Sequence, residues 1–388
     1  RGWWMMAQFG RDRDLAAAVV DLISSGQASS RRDLISQLQL TPASANLIVK
    51  RLLTDGVLVE AGEGPSTGGR RPRLLRVADQ RGVVACAELG ARHARLALVA
   101  PSGTLISRDE IPLQIDQGAD AVFDSLGQRW TRMLAGDDKE MRAVAVAFPG
   151  PVDVSGGLVV SPARMPGWSG VNPRQALAAR FGVPAVIEND ARAGALGEAR
   201  ARRGTIDTFV YVKAGMGIGG AWVSGGQLYR GPHGLGGEIT HNQLPGIVKE
   251  QGCGCGNRGC LELVASGAAL SRDLAEQGIS VRGTKDITEL AQDSNPVVNT
   301  LMRTAGSHLG EVLAPLVNFL NPSGVIIGGG LSASDAFVAA VRGVLYDRCL
   351  PMCTQGLLIE ASAAGPDAAV IGLGELARSS LRPERTPR

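Results

Sequence analysis

The strongest constraint on this chain is a knot of thiols, Cys253-Gly-Cys255-Gly-Asn-Arg-Gly-Cys260-Leu-Glu262, preceded by Gly236-Gly-Glu238-Ile-Thr-His241. The glycines let the backbone fold sharply enough for three thiolates to converge on one tetrahedral ion. The neutral imidazole of His241 completes a Cys3His set, a common closed structural zinc site. The plainer reading is a group of reduced cysteines in a glycine-rich turn. Twelve positions separate His241 from Cys253, so the intervening loop is expected to bulge.

With 388 residues, two or three folding units are expected. An apolar share of 44% is ample for buried cores, while 4% aromatics and 52 glycines favour an α/β protein rich in tight turns. No apolar run reaches the eighteen or so residues that a membrane span needs, so no membrane partner is expected. The opening Arg1-Gly-Trp-Trp-Met-Met carries no signal-peptide pattern. Outside the thiol knot lie Cys86, Cys349 and Cys353, an odd number that fits reduced thiols in a cytoplasmic protein better than a disulfide framework. Net charge is +3, and residues 1–80 hold all of the excess, with 11 Lys and Arg against 8 Asp and Glu. Those residues are where a polyanion would be met.

The first eighty residues read as a DNA-binding module. Leu15, Val19 and Leu22 fall at helical spacing before Gly26. Ser30-Arg-Arg-Asp33 resembles a capping box for a second helix with Leu34 and Leu38 inward. Thr41-Pro42 supplies an N-cap and a first-turn proline for a third helix burying Leu47, Leu52 and Leu53. Ala43, Ser44, Asn46 and Lys50 point away from that stripe, where Ser44 and Asn46 suit base edges and Lys50 a phosphate. Val57-Leu-Val59 and Arg73–Val77 read as two strands of a wing, whose tip, with Arg70 and Arg71, suits a narrow minor groove. A three-helix interaction module with a solvated loop is the competing reading.

Past residue 81 the pattern changes to buried strands: Val83–Ala87, Leu96–Val99, Ala143–Ala147, Val183–Ile187, Thr208–Val212 and Gly324–Gly328. Helical segments such as Ala121–Leu134 and Pro173–Arg180 separate several of them, which argues for sheets covered by helices. The strands fall into two series, suggesting two lobes with a cleft. Glu188-Asn189-Asp190 closes one strand, and a carboxylate beside an amide suits polyol hydroxyls. Asn189-Asp190 alone reads equally well as a helix N-cap.

From about residue 81 to 380 the order of landmarks resembles the ROK family of repressors and sugar kinases: Pro149-Gly150-Pro151, Glu188-Asn189-Asp190, Gly215-Met-Gly217-Ile-Gly219-Gly220, the thiol knot, and Asn321-Pro322 before Gly328-Gly-Gly330. The resemblance implies an α/β, two-lobed, actin-like ATPase (sugar kinase) body preceded by a winged helix-turn-helix. The expected boundaries are 1–80 for the DNA-binding domain, 81–192 for the first lobe, completed by a C-terminal helix within 366–388, and 193–365 for the second lobe with the zinc block. It further implies Asp190 as a vestigial general base, and Gly150, Asn189, Asp190, Glu238, His241 and Glu262 around a sugar. Zinc would then orient His241 and Glu262 without activating water.

A sugar kinase must also cradle ATP phosphates with closely approaching backbone amides. Gly215, Gly217 and Gly219 fit one such loop. The family's other loop, Asp-x-Gly-Gly-Thr, is replaced by Glu88-Leu89-Gly90-Ala91-Arg92, where Ala91 and the bulk of Arg92 are expected to crowd the nucleotide. Because phosphoryl transfer rests on positioning, the expected function is a sugar-responsive transcriptional regulator, a repressor of carbohydrate-metabolism genes, rather than an enzyme. ATP and Mg2+ are not expected as cofactors; the partners are an operator duplex, a sugar or sugar derivative, and further copies in a homodimer or homotetramer. The alternatives are an active ATP-dependent hexose kinase with a DNA-binding appendage, and a constitutive DNA binder with a vestigial pocket.

Overall fold

The computed structural model describes residues 15–16, 18–20, 22–23, 26–54, 57–64, 71–77, 82–100, 103–136, 138–160, 165, 167–247 and 252–380, with side chains to 378. In the N-terminal part, residues 15–16, 18–20 and 22–23 are helical, followed by α1 (Arg31–Leu38) and α2 (Pro42–Thr54). An antiparallel hairpin of β1 (Leu58–Glu63) and β2 (Arg73–Val77) comes next. Ser30 and Asp33 form the reciprocal capping box that starts α1, and Thr41 Oγ1 accepts from the Ser44 amide at 3.2 Å to start α2.

Two faces differ from the expected ones. In the first helical segment Ala16, Val19, Val20 and Ile23 are buried, with Leu15 and Leu22 only packed against them. On α2 the buried side chains are Ala45, Ile48, Val49 and Leu52; Leu53 is half-buried, and Leu47 is 71% exposed. The reason is crowding of apolar residues: with Leu47, Ile48 and Val49 consecutive, only one phase turns the β-branched pair toward the hairpin, and Leu47 is left outside.

The body contains two five-stranded sheets. The first has the order β5-β4-β3-β6-β9, formed by β3 (Gly82–Leu89), β4 (His93–Val99), β5 (Leu105–Pro112), β6 (Glu140–Phe148) and β9 (Ala185–Asn189). A short, separate β7–β8 hairpin (Val152–Asp153 and Leu158–Val159) comes between β6 and β9 in the sequence. The second sheet has the order β12-β11-β10-β13-β14, formed by β10 (Phe209–Ala214), β11 (Ile218–Ser224), β12 (Gln227–Tyr229), β13 (Gly324–Gly328) and β14 (Leu358–Ala361). Each sheet is an antiparallel three-strand meander extended by two parallel strands, so both halves share one topology. β5 escapes a search for apolar runs because its side chains alternate half-buried and exposed on a sheet edge.

The covering helices are α3 (Ala119–Leu134), α4 (Pro173–Phe181), α5 (Asp190–Ala201), α6 (Glu262–Ala265), α7 (Gly267–Glu276), α8 (Thr284–Gln292), α9 (Pro296–Leu320), α10 (Asp335–Arg348), α11 (Pro351–Thr354) and α12 (Ala368–Ser380). As expected, the last helix returns to the first sheet: Ala369, Val370, Leu373 and Ala377 pack on Val84, Cys86, Ala97 and Ala145. It crosses α5 with backbones touching. A Cβ on Gly197 would lie 1.8 Å from the Ala368 carbonyl, and one on Gly372 1.9 Å from that of Ala193.

The lobe boundary expected at 192/193 falls inside α5. Ala193 joins the core of the first sheet and Ala195 that of the second, so α5 is a shared beam between the lobes. Among the described residues no helix is long and apolar enough to cross a membrane.

Candidate functional site

β9 delivers Asn189 and Asp190 to the start of α5. Asn189 caps the helix by accepting from the Arg192 amide at 3.0 Å. Its side-chain amide donates to the Gly150 carbonyl at 2.9 Å and to Asp190 Oδ1 at 3.0 Å. Asp190 Oδ1 also accepts from the Ala191 amide at 2.8 Å. Below them Glu188 is fully buried and held by Arg192 at 2.7 Å and Arg230 at 2.8 Å, which fixes the strand end on which the pair sits.

The group that sequence reasoning missed is Lys213, near the end of β10. Its ammonium donates to Asp190 Oδ2 at 2.6 Å and to Glu88 Oε1 at 2.5 Å. It thereby joins the end of β3, the start of α5 and the second sheet. Glu88 is 6% exposed and is also faced by Arg95 at 3.4 Å, which donates to the Pro366 carbonyl at 2.7 Å. Burial would lower the Lys213 pKa, but Asp190 and Glu88 outweigh it and hold the ammonium above its ordinary value. Burial would likewise raise Glu88, yet Lys213 and Arg95 hold its pKa below the ordinary 4.5.

A depressed carboxylate pKa stabilises the fold above the unfolded value, and that contribution disappears as pH falls through the folded value. Acidification from about pH 5 to about pH 3 should therefore cost the wild type more thermal stability than Glu88→Gln. Parallel melting curves for the two proteins would expose an equal loss, which would remove Glu88 from the account.

The β3–β4 and β10–β11 tips are the hairpin turns that carry residues 88–92 and 215–219. Ala91 and Arg92 are both exposed at the β3–β4 tip, and the cation beside Glu88 and Asp190 is Lys213. A Cβ on Gly90 would lie 2.6 Å from the His93 ring, which would have to shift. At the β10–β11 tip the Gly215 amide donates to the Gly217 carbonyl at 2.9 Å. The amides of Gly267 and Ala268, where α7 begins, donate to the Gly215 and Met216 carbonyls at 2.8 and 3.0 Å. Gly219 lies within β11, where a Cβ would meet that of Ala191 at 2.9 Å. That glycine serves the packing of β11 on α5.

The thiol knot closes as its spacing predicts. One ligand atom from each of His241, Cys253, Cys255 and Cys260 lies within 4.8 Å of the others. His241 Nδ1 is 3.4 Å from Cys253 Sγ, and the Cys255 and Cys260 sulfurs are 3.6 Å apart. A tetrahedral ion with bonds of about 2.1–2.3 Å has ligand edges of roughly 3.4–3.8 Å, a range that holds both of these pairs, and the soft N/S donor set suits zinc. The Asn257 backbone holds the Cys255 thiol below its usual pKa. Burial and the neighbouring thiols push Cys260 up to about 12. A bulge is expected in the loop between His241 and Cys253, of which residues 248–251 lie outside the described residues.

Glu262 links the knot to the β10–β11 tip. Its Oε2 lies 4.0 Å from Cys253 Sγ, its amide donates to the Thr240 carbonyl at 3.2 Å, and its Oε1 faces Gly217. Glu238 is exposed and accepts from the Thr240 amide at 2.8 Å. Glu238, His241 and Glu262 thus share one small unit beside the β10–β11 tip. Gly150, Asn189 and Asp190 form a second unit, and Lys213 and Gly219 on the same hairpin reach it.

On the N-terminal module Ala43, Asn46 and Lys50 are exposed as expected. The Ser44 hydroxyl is instead engaged with Thr41 Oγ1 at 2.9 Å, which makes it part of the cap. Arg71 is exposed; Arg70 lies outside the described residues.

With this geometry in hand, the sequence model described as the ROK family matches residues 84–380. The chain belongs to the ROK family. A xylose repressor of Caldicellulosiruptor bescii is 28% identical over 373 residues, covering 91% of this chain and 92% of the relative. The ROK transcriptional regulator described as a homolog of E. coli MLC superposes with a TM-score of 0.74 at 24% identity, over 95% of this chain and 97% of that one, a likeness of fold. A ROK glucokinase from Streptomyces griseus, solved with glucose and AMPPNP, reaches a TM-score of 0.66 at 26% identity, over 77% of this chain and all of that one. The full-length likeness thus runs to regulators, while the glucokinase covers a smaller share of this ROK chain.

Proposed function

We propose that this ROK protein is a sugar-responsive DNA-binding transcriptional regulator, a repressor of carbohydrate-metabolism genes, with its kinase-like body acting as ligand sensor. The observation that carries the sensor reading is the Lys213 ammonium between Glu88 and Asp190. Phosphoryl transfer needs its base free to take a hydroxyl proton and needs metal-bound phosphates opposite it. Here the base is neutralised from within, and the carboxylate at the first hairpin is spent on the same lysine. Asp190 keeps the capacity to accept from a sugar hydroxyl, and Asn189, Glu238, His241, Glu262 and the Gly150 loop provide the remaining polar contacts. Zinc held by His241, Cys253, Cys255 and Cys260 would supply rigidity to the unit carrying Glu262.

The working division is residues 1–80 for DNA, 81–192 with 366–388 for the first lobe, and 193–365 for the second, with α5 shared. The protein is read as a cytoplasmic homodimer or homotetramer, in keeping with operator symmetry. A closing ligand changes operator affinity only by binding the DNA-competent and incompetent arrangements unequally.

The test is fluorescence anisotropy of the full chain on duplexes selected from a random library, with and without a panel of sugars. Binding should fall steeply with salt, Arg71→Ala should weaken it, and Asn46→Ala should cost about 1–3 kcal/mol of discrimination between selected and random duplex. At least one sugar should shift the affinity; indifference to every sugar would leave a constitutive DNA binder. The second reading, an active hexose kinase with a DNA-binding appendage, is favoured by the intact Asn189-Asp190 pair and the likeness to a glucokinase.

A further inference from the structure

Leu47 is 71% exposed and stands on the outward face of α2 with Ala43, Asn46 and Lys50, an i, i+3, i+4, i+7 set on one side of a helix. The remaining large apolar side chains described in residues 15–77 are buried or half-buried. A single surface leucine is ordinary; its neighbours make this one informative. The side chains of Asn46 and Lys50 sit on the same face and engage no partner among the described residues. Thr41 and Ser44 meanwhile cap the end of the helix that would enter a groove. The face is thus one apolar side chain flanked by an amide and a cation, with the small Ala43 beside it leaving room for close approach.

A DNA major groove presents phosphates, polar base edges and one apolar feature, the C5-methyl group of thymine. A lysine matches the first and an asparagine the second. We propose that Leu47 is a specificity-determining residue that reads thymine by packing on its methyl group. The proposal rests on the DNA-binding reading above and goes beyond it, because it assigns a base preference to one side chain. The leucine's exposure in the free protein becomes burial on the operator, and the gain exists only where a methyl group is present.

The experiment uses the full chain and the duplexes it selects from a random library. Each thymine of a selected site is replaced in turn by deoxyuridine, which removes the methyl group and alters no hydrogen-bonding edge. Affinities are measured at one salt concentration for the wild type, Leu47→Ala and Leu47→Gln. Both substitutions suit an exposed helix position, and circular dichroism verifies that the fold is kept. At least one uracil replacement should weaken the wild type by about threefold to tenfold. The same replacement should leave Leu47→Ala and Leu47→Gln unchanged, as expected when two groups act only through each other.

Uracil indifference in the wild type, or an undiminished uracil effect in both variants, overturns the assignment while leaving the regulator reading in place. Failure of the full chain to select any sequence removes the regulator reading and the assignment with it. A Leu47→Ala protein that changes oligomeric mass but keeps wild-type thymine preference reassigns the leucine to contact between copies.

Discussion

Replacing Cys260 by serine should abolish stoichiometric zinc and weaken sugar binding by at least tenfold. Elemental analysis of the wild type should give one zinc per chain, and Cys253→Ser and Cys255→Ser should behave as Cys260→Ser does. The coupling is geometric. Cys260 is fully buried, the Leu261 amide donates to the Asn242 carbonyl at 2.9 Å, and Glu262 leads directly into α6. The segment 240–244 that carries His241 is therefore stitched to the segment 259–262 that carries Cys260 and Glu262. Loosening one metal ligand releases both edges of the unit, and support of this kind is commonly worth 10- to 100-fold in a bound site. A purified wild type without zinc, never exposed to chelator, would falsify the metal assignment. Zinc retained in His241→Ala would instead move the fourth ligand elsewhere.

The second large effect concerns catalysis. In a coupled ADP-release assay across hexoses and amino sugars the wild type should show none of the roughly 1–100 s⁻¹ turnover typical of kinases. Asp190→Ala should abolish sugar affinity. Restoring the kinase loop with Asp, Gly and Thr at positions 88, 91 and 92 should leave the protein inert while Lys213 remains, because the ammonium still occupies Asp190. Adding Lys213→Thr to that triple variant is the step expected to bring activity. Taken alone, Lys213→Ala strands Glu88 and Asp190 facing one another. Stripping a buried pair of one partner costs about 3–5 kcal/mol, and less here because Lys213 keeps 21% of its side chain accessible. Rapid turnover in the wild type would make this chain a DNA-binding enzyme.

What was legible from the residues follows from how far apart the cooperating groups lie. The capping box of Ser30 and Asp33, the Thr41-Pro42 helix start and the thiol knot are local, so spacing alone determines their geometry. Leu47 was misread because three consecutive apolar residues leave the phase of a short helix undetermined until the hairpin it packs against is known. Lys213 carried a faint mark, a lone charge at the end of Phe209-Val-Tyr-Val-Lys213 beside a glycine turn. Its meaning depends on Glu88 and Asp190, which lie 125 and 23 positions away and are assembled only by the tertiary fold. Gly219 suggested a phosphate loop because a glycine that admits a ligand and a glycine that admits a neighbouring helix look alike in sequence.

The shared topology of the two sheets gives the lysine bridge a further property. Glu88 and Lys213 stand at matching places, each on the first strand of its meander and two residues before the turn glycine, Gly90 or Gly215. They meet as a mirrored pair of opposite sign. Asp190 breaks the mirror, since it stands on one side only. Exchanging the two charges by Glu88→Lys with Lys213→Glu would keep the contact between halves yet set a new anion against Asp190. Each half therefore has a non-interchangeable identity, and a chain that has duplicated its architecture still admits only one polarity across its midline.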